Sequence, residues 1–376
     1  MRRRALLQTT GALLAGGLAG CNALDPGGSI PRDGAVGRPP DRSWPRPGYD
    51  PENSRYNPGA VVPDDPSEAW TRTISFSFGD PVVADDAVFV RDRDSVRSLA
   101  VDDGSERWSA LAHTAPVVEG NAVAVGTGGD VVLYDRADGS EYDRFAGDQP
   151  VRGPPAPLED GAYAVARGEH VGVVGDPHDD DGGWNRRLFG TVDGGVSTRD
   201  STYLVAATEA GELAVLNPEG TGMGRYRFEG AAATRPILEP QFDHVLVQTG
   251  RGDLHALATD PDGDDWTTDA NGSHAVAYAA GYCYVPHADA VAVVDVETGD
   301  EAYRQPLDGT VTSLAVAGDR VLAPTTAGTV HALDRFDGSE RWSRDVGETA
   351  YRVVPGAERL FVHCLRDGTS TLAVYE

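Results

Sequence analysis

An all-β ring of eight four-stranded antiparallel blades is the fold the sequence predicts, and three observations carry that expectation. An eleven-residue phrase, A-L-D-R-F-D-G-S-E-R-W from Ala332 to Trp342, recurs along the chain: S-L-A-V-D-D-G-S-E-R-W from Ser98 to Trp108, L-Y-D-R-A-D-G-S-E-Y-D from Leu133, and V-V-D-V-E-T-G-D-E-A-Y from Val293 to Tyr303. Worn copies follow Ala214 and span Ala256 to Trp266. Between the copies, short apolar runs alternate with turn residues every eight to twelve positions, the pattern of strands joined by tight turns. The composition agrees, with 46 Gly and 25 Pro in 376 residues, because turns consume these residues and long helices exclude them. A repeat at this period sets the fold before any local reading does.

The chain opens on Met1 to Cys21, which reads as a signal and not as part of the fold. Arg2, Arg3 and Arg4 precede a short apolar stretch, Leu6 to Gly20, that is brief for a membrane-spanning helix. Leu18-Ala19-Gly20-Cys21 resembles a lipobox, which makes Cys21 the expected mature start and lipidation site. Arg3-Arg4-Ala5-Leu6-Leu7 resembles the twin-arginine export signal, with Arg3 and Arg4 as its pair. Two acyl chains on Cys21 would anchor the chain stably, where one would bind reversibly. Residues 22–43 are rich in Gly and Pro without apolar periodicity, so a flexible spacer is expected there. The aromatics of the next stretch, Trp44, Tyr49 and Tyr56, are expected to pack across one end of the ring.

Eight units follow over the rest of residues 44–376, about 38 residues each, within the span of a four-stranded blade. Unit one contains Pro81-Val82-Val83, Ala87 to Val90, Val96 to Val101 and Ser105 to Trp108. The later units repeat this order, except that unit three is followed by an insertion after Val174. Unit eight has three strands, at Val353-Val354, Leu360 to His363 and Ser370 to Tyr375. A ring must close or leave an exposed edge. Glu68 to Ile74 is the natural closing strand, with Trp70 in the place of Trp108 and Trp342. Seven blades is the alternative, if unit three is an elaborated loop.

Within each phrase the glycine (Gly104, Gly139, Gly299 or Gly338) suits the positive φ of a hairpin turn. The preceding Asp or Thr can bond the turn backbone. The terminal ring of Trp70, Trp108, Trp266, Tyr303 or Trp342 offers a large flat surface to bury between blades. The phrase thus reads A-x-D-x-x-[T/D]-G-x-x-x-[W/Y]. It resembles the tryptophan-docking motif of PQQ-like propeller repeats, strong in three units, partial in three, and not seen in units three and eight. That family includes quinoprotein alcohol dehydrogenases and the BamB-type lipoproteins that assist outer-membrane protein assembly. The dehydrogenase branch implies PQQ with Ca²⁺, a pair of adjacent cysteines beside the quinone, and an Asp base. The three cysteines, Cys21, Cys283 and Cys364, are far apart, and neither a calcium set nor a base can be placed residue by residue. The BamB-like branch implies one bare propeller behind a lipobox, without a cofactor.

Charge narrows the partners. All 32 basic residues are Arg, against 59 acidic ones, for a net charge of -27. Such a surface repels nucleic acid and anionic lipid headgroups, and it resembles the acidic surfaces of halophile proteins, haloarchaeal members of the family included. The absence of Lys rules out a phosphate-binding P-loop, and there is no G-x-S-x-G or H-E-x-x-H stretch. Two acidic loops could attract a cation: D-P-H-D-D-D-G-G-W, with Asp176, Asp179, Asp180 and Asp181, and D-P-D-G-D-D, with Asp262 and Asp264. His255 and His331 stand at matching positions before Ala-Leu and read as strand residues. No catalytic or cofactor-binding residue is expected. The sequence predicts a monomeric, lipid-anchored, extracytoplasmic propeller that binds a cell-envelope protein. The alternatives are a quinone-dependent dehydrogenase and a small-ligand or metal sensor.

Overall fold

Residues 28–32, 42–75, 79–175, 183–199, 201–241, 243–260, 263–270 and 275–376 are described by the computed structural model. Eight antiparallel sheets stand around one axis. Blade 1 comprises Val82–Ala84, Ala87–Asp92, Ser95–Ala100 and Glu106–Leu111, from the axis outward. Blade 2 begins at Val117–Glu119 and blade 3 at Arg152–Pro157, with Gly183–Arg187 as the outermost strand of blade 3. Blade 4 begins at Ser197–Arg199 and ends with Gly222–Arg227; blade 5 runs from Ile237–Leu238 to Trp266–Asp269. Blade 6 runs from Ala277–Ala279 to Glu301–Pro306, and blade 7 from Ala315–Ala317 to Glu340–Asp345. Blade 8 takes Thr349–Gly356, Arg359–Arg366 and Thr369–Tyr375 from one end of the chain and its outermost strand, Glu68–Thr73, from the other. That strand pairs Trp70 with Val374 and Arg72 with Leu372, so the closed ring has no open blade.

Unit three is a complete blade, which disposes of the seven-blade alternative. Its fourth strand pairs Val173 with Trp184 and Val171 with Arg186, and it lies beyond the insertion, where the eleven-residue spacing no longer finds it. Blade 7 departs from four strands. Tyr56–Asn57 adds in parallel to Ala315–Ala317 on the axis side. The spacer expected over residues 22–43 also differs in part. Ile30 N–H donates to the Phe336 carbonyl at 2.7 Å, Ile30 is buried, and Arg32 lies over the Phe336 ring at 4.6 Å. One apolar side chain and one cation–π contact are enough to fasten a short polar stretch to blade 7.

The core follows the alternation of the strands. Second and third strands are nearly all buried, as in Ala122–Thr127 of blade 2 and Ala290–Asp295 of blade 6. Each strand points its two faces at the two neighbouring blades. In blade 4, Ala214 and Leu216 join a cluster with Val171 and Val173 of blade 3, while Leu213 and Val215 join Val245 and Val247 of blade 5. Outer strands are exposed and charged, as Glu141–Phe145 shows.

Candidate functional site

The segment from Arg42 to Asn57 circles the axis and hydrogen-bonds the inner strands in turn. The Arg42 carbonyl accepts from Ala357 of blade 8, Trp44 exchanges two bonds with Val83 of blade 1, and the Pro45 carbonyl accepts from Val118 of blade 2. Pro51 then accepts from Thr198 of blade 4, Glu52 from Leu238 of blade 5, Ser54 from Tyr278 of blade 6, and Arg55 from Val316 of blade 7. Short inner strands leave backbone groups facing the axis, and a buried N–H must be satisfied. The segment supplies the acceptors. Trp44 is wholly buried and sits 5.3 Å from the Tyr49 ring.

Charged side chains from the segment and from the starts of inner strands meet on the axis. Arg55 Nη1 and Nη2 donate to Asp80 Oδ2 and Oδ1 at 2.6 and 3.1 Å, and Arg55 Nε donates to the Leu314 carbonyl at 2.6 Å. Arg352 Nε lies 3.7 Å from Asp80 Oδ1, and Gly48 N–H donates to Asp80 Oδ2 at 3.3 Å. Arg235 donates to the Pro47 carbonyl and to Asn53 Oδ1. Arg46 pairs with Glu119 at 2.9 Å, and Asp50 accepts from the Ser54 N–H and hydroxyl.

Burial pushes the Asp80 carboxyl up, but the Arg55 guanidinium, joined by Arg352 and the Gly48 N–H, outweighs it and holds the carboxyl below its ordinary range. For Asp50 burial wins over Ser54 and the two arginines, and its carboxyl is raised. Burial, reinforced by Arg46, brings Arg235 down to about 10. Every one of these groups binds another part of the same chain. The arrangement fastens the leading segment across one end of the ring.

The blade junctions are the second constellation. The Trp70 indole N–H donates to the Val101 carbonyl at 2.8 Å, Trp108 to Arg136 at 2.9 Å, and Trp266 to Val296 at 2.8 Å. The Tyr303 hydroxyl donates to the Arg335 carbonyl at 2.7 Å, and Trp342 donates to the Pro63 carbonyl at 2.9 Å. Four of these five rings lie over a glycine of the next blade: Trp70 on Gly104, Trp108 on Gly139, Trp266 on Gly299, Tyr303 on Gly338. A Cβ at Gly139, where φ is +73°, would fall 2.6 Å from the Trp108 ring, so close approach and left-handed backbone both demand glycine. A bulge before Trp70, Trp108, Tyr303 and Trp342 turns each ring toward its neighbour.

Three further docks escape the phrase. Trp184, past the insertion, lies over Gly220 and donates to Pro218. Phe145 lies over Gly175. Tyr226 fills the space above Gly224 and donates its hydroxyl to the Thr259 carbonyl at 3.3 Å. In the last two cases the usual ring position holds Asp143 or Gly224, and the aromatic two residues later, on the same strand face, takes over. A search of outer strands at plus two would have found both.

Asp176, Asp179, Asp180, Asp181 and Asp262 lie outside the described residues, as do Cys21, Arg3 and Arg4. Asp264 is exposed, and its carbonyl meets the His244 ring at 3.3 Å. Among the described residues no cluster of His, Cys, Asp and Glu could hold a metal. His331 Nδ1 pairs with Glu340 at 2.7 Å, and His255 Nδ1 with the Thr267 hydroxyl at 3.0 Å; both are strand residues. Cys283 and Cys364 are buried and free, in blades 6 and 8, with burial pushing the Cys364 thiol up to about 11.

PQQ is a flat quinone with three carboxylates, and calcium asks for six to eight oxygen ligands. The axial arginines have the right sign for the carboxylates. However, Asp80 already takes both terminal nitrogens of Arg55, and Arg235 is committed to Pro47 and Asn53. The leading segment's backbone is bonded to the inner strands of seven blades. The residues present do not fit a quinone with calcium.

An eight-bladed ring with indole docks at its junctions defines a class of propeller, and comparison with known proteins places the chain within it. The family described as outer membrane protein assembly factor BamB matches residues 58–144, 93–220 and 250–372. The chain belongs to this PQQ-like propeller family. Among solved structures, BamB from Moraxella catarrhalis is 14% identical, with a TM-score of 0.63 over 83% of this chain and 98% of that one. Quinohemoprotein alcohol dehydrogenase from Comamonas testosteroni is 13% identical, with a TM-score of 0.66 over 89% of this chain and 80% of that one. A europium-containing methanol dehydrogenase is 12% identical, with a TM-score of 0.66 over 87% of this chain and 90% of that one. At these identities the likeness is one of fold, which assembly factors and dehydrogenases share. No curated protein matches the sequence.

Proposed function

We propose that the protein is a lipid-anchored scaffold on the extracytoplasmic face of the cell membrane, binding another envelope protein and carrying out no redox chemistry of its own. The observation that carries this reading is the axis. Its polar groups are spent on the chain's own leading segment, through the Arg55–Asp80 clamp and seven blades' worth of backbone bonds. What remains for recognition is the outside of a rigid ring, its loops and its rim. Membership of a family described as an assembly factor supports the same reading. The lipobox ending in Cys21 and the Arg3-Arg4 pair support export and tethering, and a monomeric ring suffices.

Crosslinking of the membrane-tethered protein in molar KCl, followed by mass spectrometry, tests the proposal. One reproducible protein partner is expected. A folded, lipidated protein that crosslinks to nothing and takes up PQQ stoichiometrically in the presence of Ca²⁺ would transfer the reading to the dehydrogenases. Acylation is checked separately, by the mass of the N-terminal peptide and its loss in Cys21→Ser.

A further inference from the structure

The outer rim between blades 3 and 4 differs from the rest of the molecule. Six of the eight outermost strands carry at least one carboxylate: Glu106–Leu111, Glu141–Phe145, Trp266–Asp269, Glu301–Pro306, Glu340–Asp345 and Glu68–Thr73. The other two, Gly183–Arg187 and Gly222–Arg227, have none and hold four arginines between them. They are neighbours. Arg186 donates to the Gly220 carbonyl at 2.8 Å, and its guanidinium lies 3.3 Å from where a Cβ on Gly222 would stand. At the other end of the strand, Arg227 lies over the Phe189 ring at 5.3 Å. Contacts from blade 3 and the loop after it therefore meet the blade 4 rim at both of its ends.

The two strands carry four arginines and no carboxylate on a chain whose total is -27. Arg225 and Arg227 share a single carboxylate, Glu212, at 3.0 and 3.7 Å. Glu212 is fully buried beneath them, while their own side chains are 62% and 60% exposed. Arg187 pairs with Glu169, and Arg186 meets a neutral carbonyl. Three of the four guanidinium groups thus pair with two carboxylates, Glu169 and Glu212, and exposed Glu219 and Glu229 flank the strand in sequence. Two of the large apolar side chains that the molecule exposes flank the same strand, Met223 at 57% near its start and Phe189 at 59% beside Arg227 at its end. Arginine beside exposed Met and aromatic groups is the composition of interface centres.

The first half of the blade 4 outer strand is uncharged, with Met223 as the extra residue of a bulge between Gly222 and Gly224. Outer strands elsewhere carry charged residues that keep foreign strands away. Gly222–Arg227 presents two glycines and Met223 at its first three positions, so no side-chain charge guards that half of the edge.

We propose that this rim binds an extended acidic segment of a partner protein, which adds as a fifth strand along Gly222–Arg227 with its carboxylates on Arg186, Arg225 and Arg227 and its apolar side chains on Met223 and Phe189. Main-chain pairing supplies affinity, and the alternating side chains supply selection. The inference deepens the scaffold reading by naming the surface and the chemistry of the partner.

The test uses the full-length chain in detergent, in KCl at which circular dichroism shows it folded. Fluorescence anisotropy follows a labelled heptapeptide of alternating Glu and Val, with a Lys–Val heptapeptide as the charge control. Saturable binding of the Glu–Val peptide alone is expected. Met223→Glu and Arg186→Glu, both exposed, should each weaken it by at least about tenfold, since like charges across an interface cost several kcal/mol. Tyr142→Glu, at an exposed position on the blade 2 rim, should leave it unchanged. An unaltered melting temperature shows that the variants fold. Equal affinity in Met223→Glu and wild type, or no binding of the Glu–Val peptide, overturns the proposal. So does a doubled mass in light scattering that Met223→Glu returns to monomer, because the occupant is then a second copy. Failure here with a crosslinked partner still present relocates the surface and leaves the scaffold reading standing.

Discussion

Arg55 clamps Asp80 through two nitrogens, at 2.6 and 3.1 Å, on the axis of the ring. One residue comes from the leading segment and the other from the start of blade 1, so the pair ties the chain's first turn round the ring to the ring itself. Both are buried. Removing one partner from a buried pair leaves an uncompensated charge, which costs about 3–5 kcal/mol. Asp80→Ala should lose that much in urea unfolding, because it strands Arg55 and Arg352 together. Arg55→Met with Asp80→Leu should recover a good part of it. A double variant as unstable as Asp80→Ala would show that the segment's packing, not the pair, is what the ring needs.

Acid should weaken the fold in two stages. His363 is buried, and burial together with Arg352 brings it down to about 4. A depressed base contributes stability above its unfolded pKa, about 6.5, and loses it as pH falls toward the folded value. The first stage therefore spans about pH 6.5 to 4. His363→Gln, which keeps a partner for the Ser370 hydroxyl 2.8 Å away, should flatten it. Asp80 is also depressed, so its contribution is full above about pH 4 and is lost below that, as the second stage. Asp50 has the opposite sign. Its raised pKa means stability present below the ordinary carboxylate range and lost as pH rises through the folded value, and Asp50→Asn should remove that opposing slope. Thermal melts at half-unit pH steps separate the three.

Trp108 is 8% exposed and sits on Gly139 with its indole N–H bonded across the junction. Trp108→Ala should cost about 3–5 kcal/mol. Gly139→Ala should also be costly, because φ is +73° and the new methyl meets the ring at 2.6 Å. Trp342 makes the same bond but is only half-buried, so Trp342→Ala should cost less than Trp108→Ala. Equal losses in chemical denaturation would mean that the hydrogen bond, not the buried ring, sets the energy.

The blades were legible because their signal is local. A turn glycine, the Asp or Thr directly before it and a ring four places after it lie within one hairpin, so spacing alone reveals them. The closing strand could be inferred from Trp70 and a unit one strand short. The axis was not legible in the same way. Arg55 and Asp80 are 25 positions apart, and Arg235 meets Asn53 across 182. Yet Asp80-Pro81 and Arg235-Pro236 place a charge just before the proline that opens an inner strand, a trace that points at the axis once the ring is known. The docks at Phe145 and Tyr226 were hidden by a shift of two residues. Such a shift preserves the strand face while breaking the motif.

Net charge of -27 over one ring predicts a dependence on salt. Many of the arginines are paired at the rim, as Arg107 with Asp86 and Arg144 with Asp130, but the acidic excess remains. Repulsion among exposed carboxylates acts over about 10 Å at 0.1 M salt and about 3 Å at 1 M. The melting temperature should rise steeply from dilute buffer to molar KCl and then level off. Sodium sulfate at equal ionic strength separates screening from surface exclusion, since exclusion adds a further rise. A melting temperature indifferent to KCl would mean that the carboxylates stand too far apart to repel.

Tyr226 tests whether a displaced dock works as well as one in register. Its ring lies over Gly224 of its own strand, and its hydroxyl reaches the Thr259 carbonyl of blade 5 at 3.3 Å. A hydrogen bond of this kind contributes about 0.5–1.5 kcal/mol net, and Tyr226→Phe should lose no more than that. Tyr226→Ala also removes the ring that covers Gly224, and the junction has no glycine-stacked indole behind it. The loss should therefore be larger, and local. Amide exchange should quicken in Gly222–Arg227 and Trp266–Asp269, while the strands beside Trp108 keep their protection. Exchange that rises evenly round the ring would show that one junction cannot open without the others, and that the eight docks form one cooperative unit.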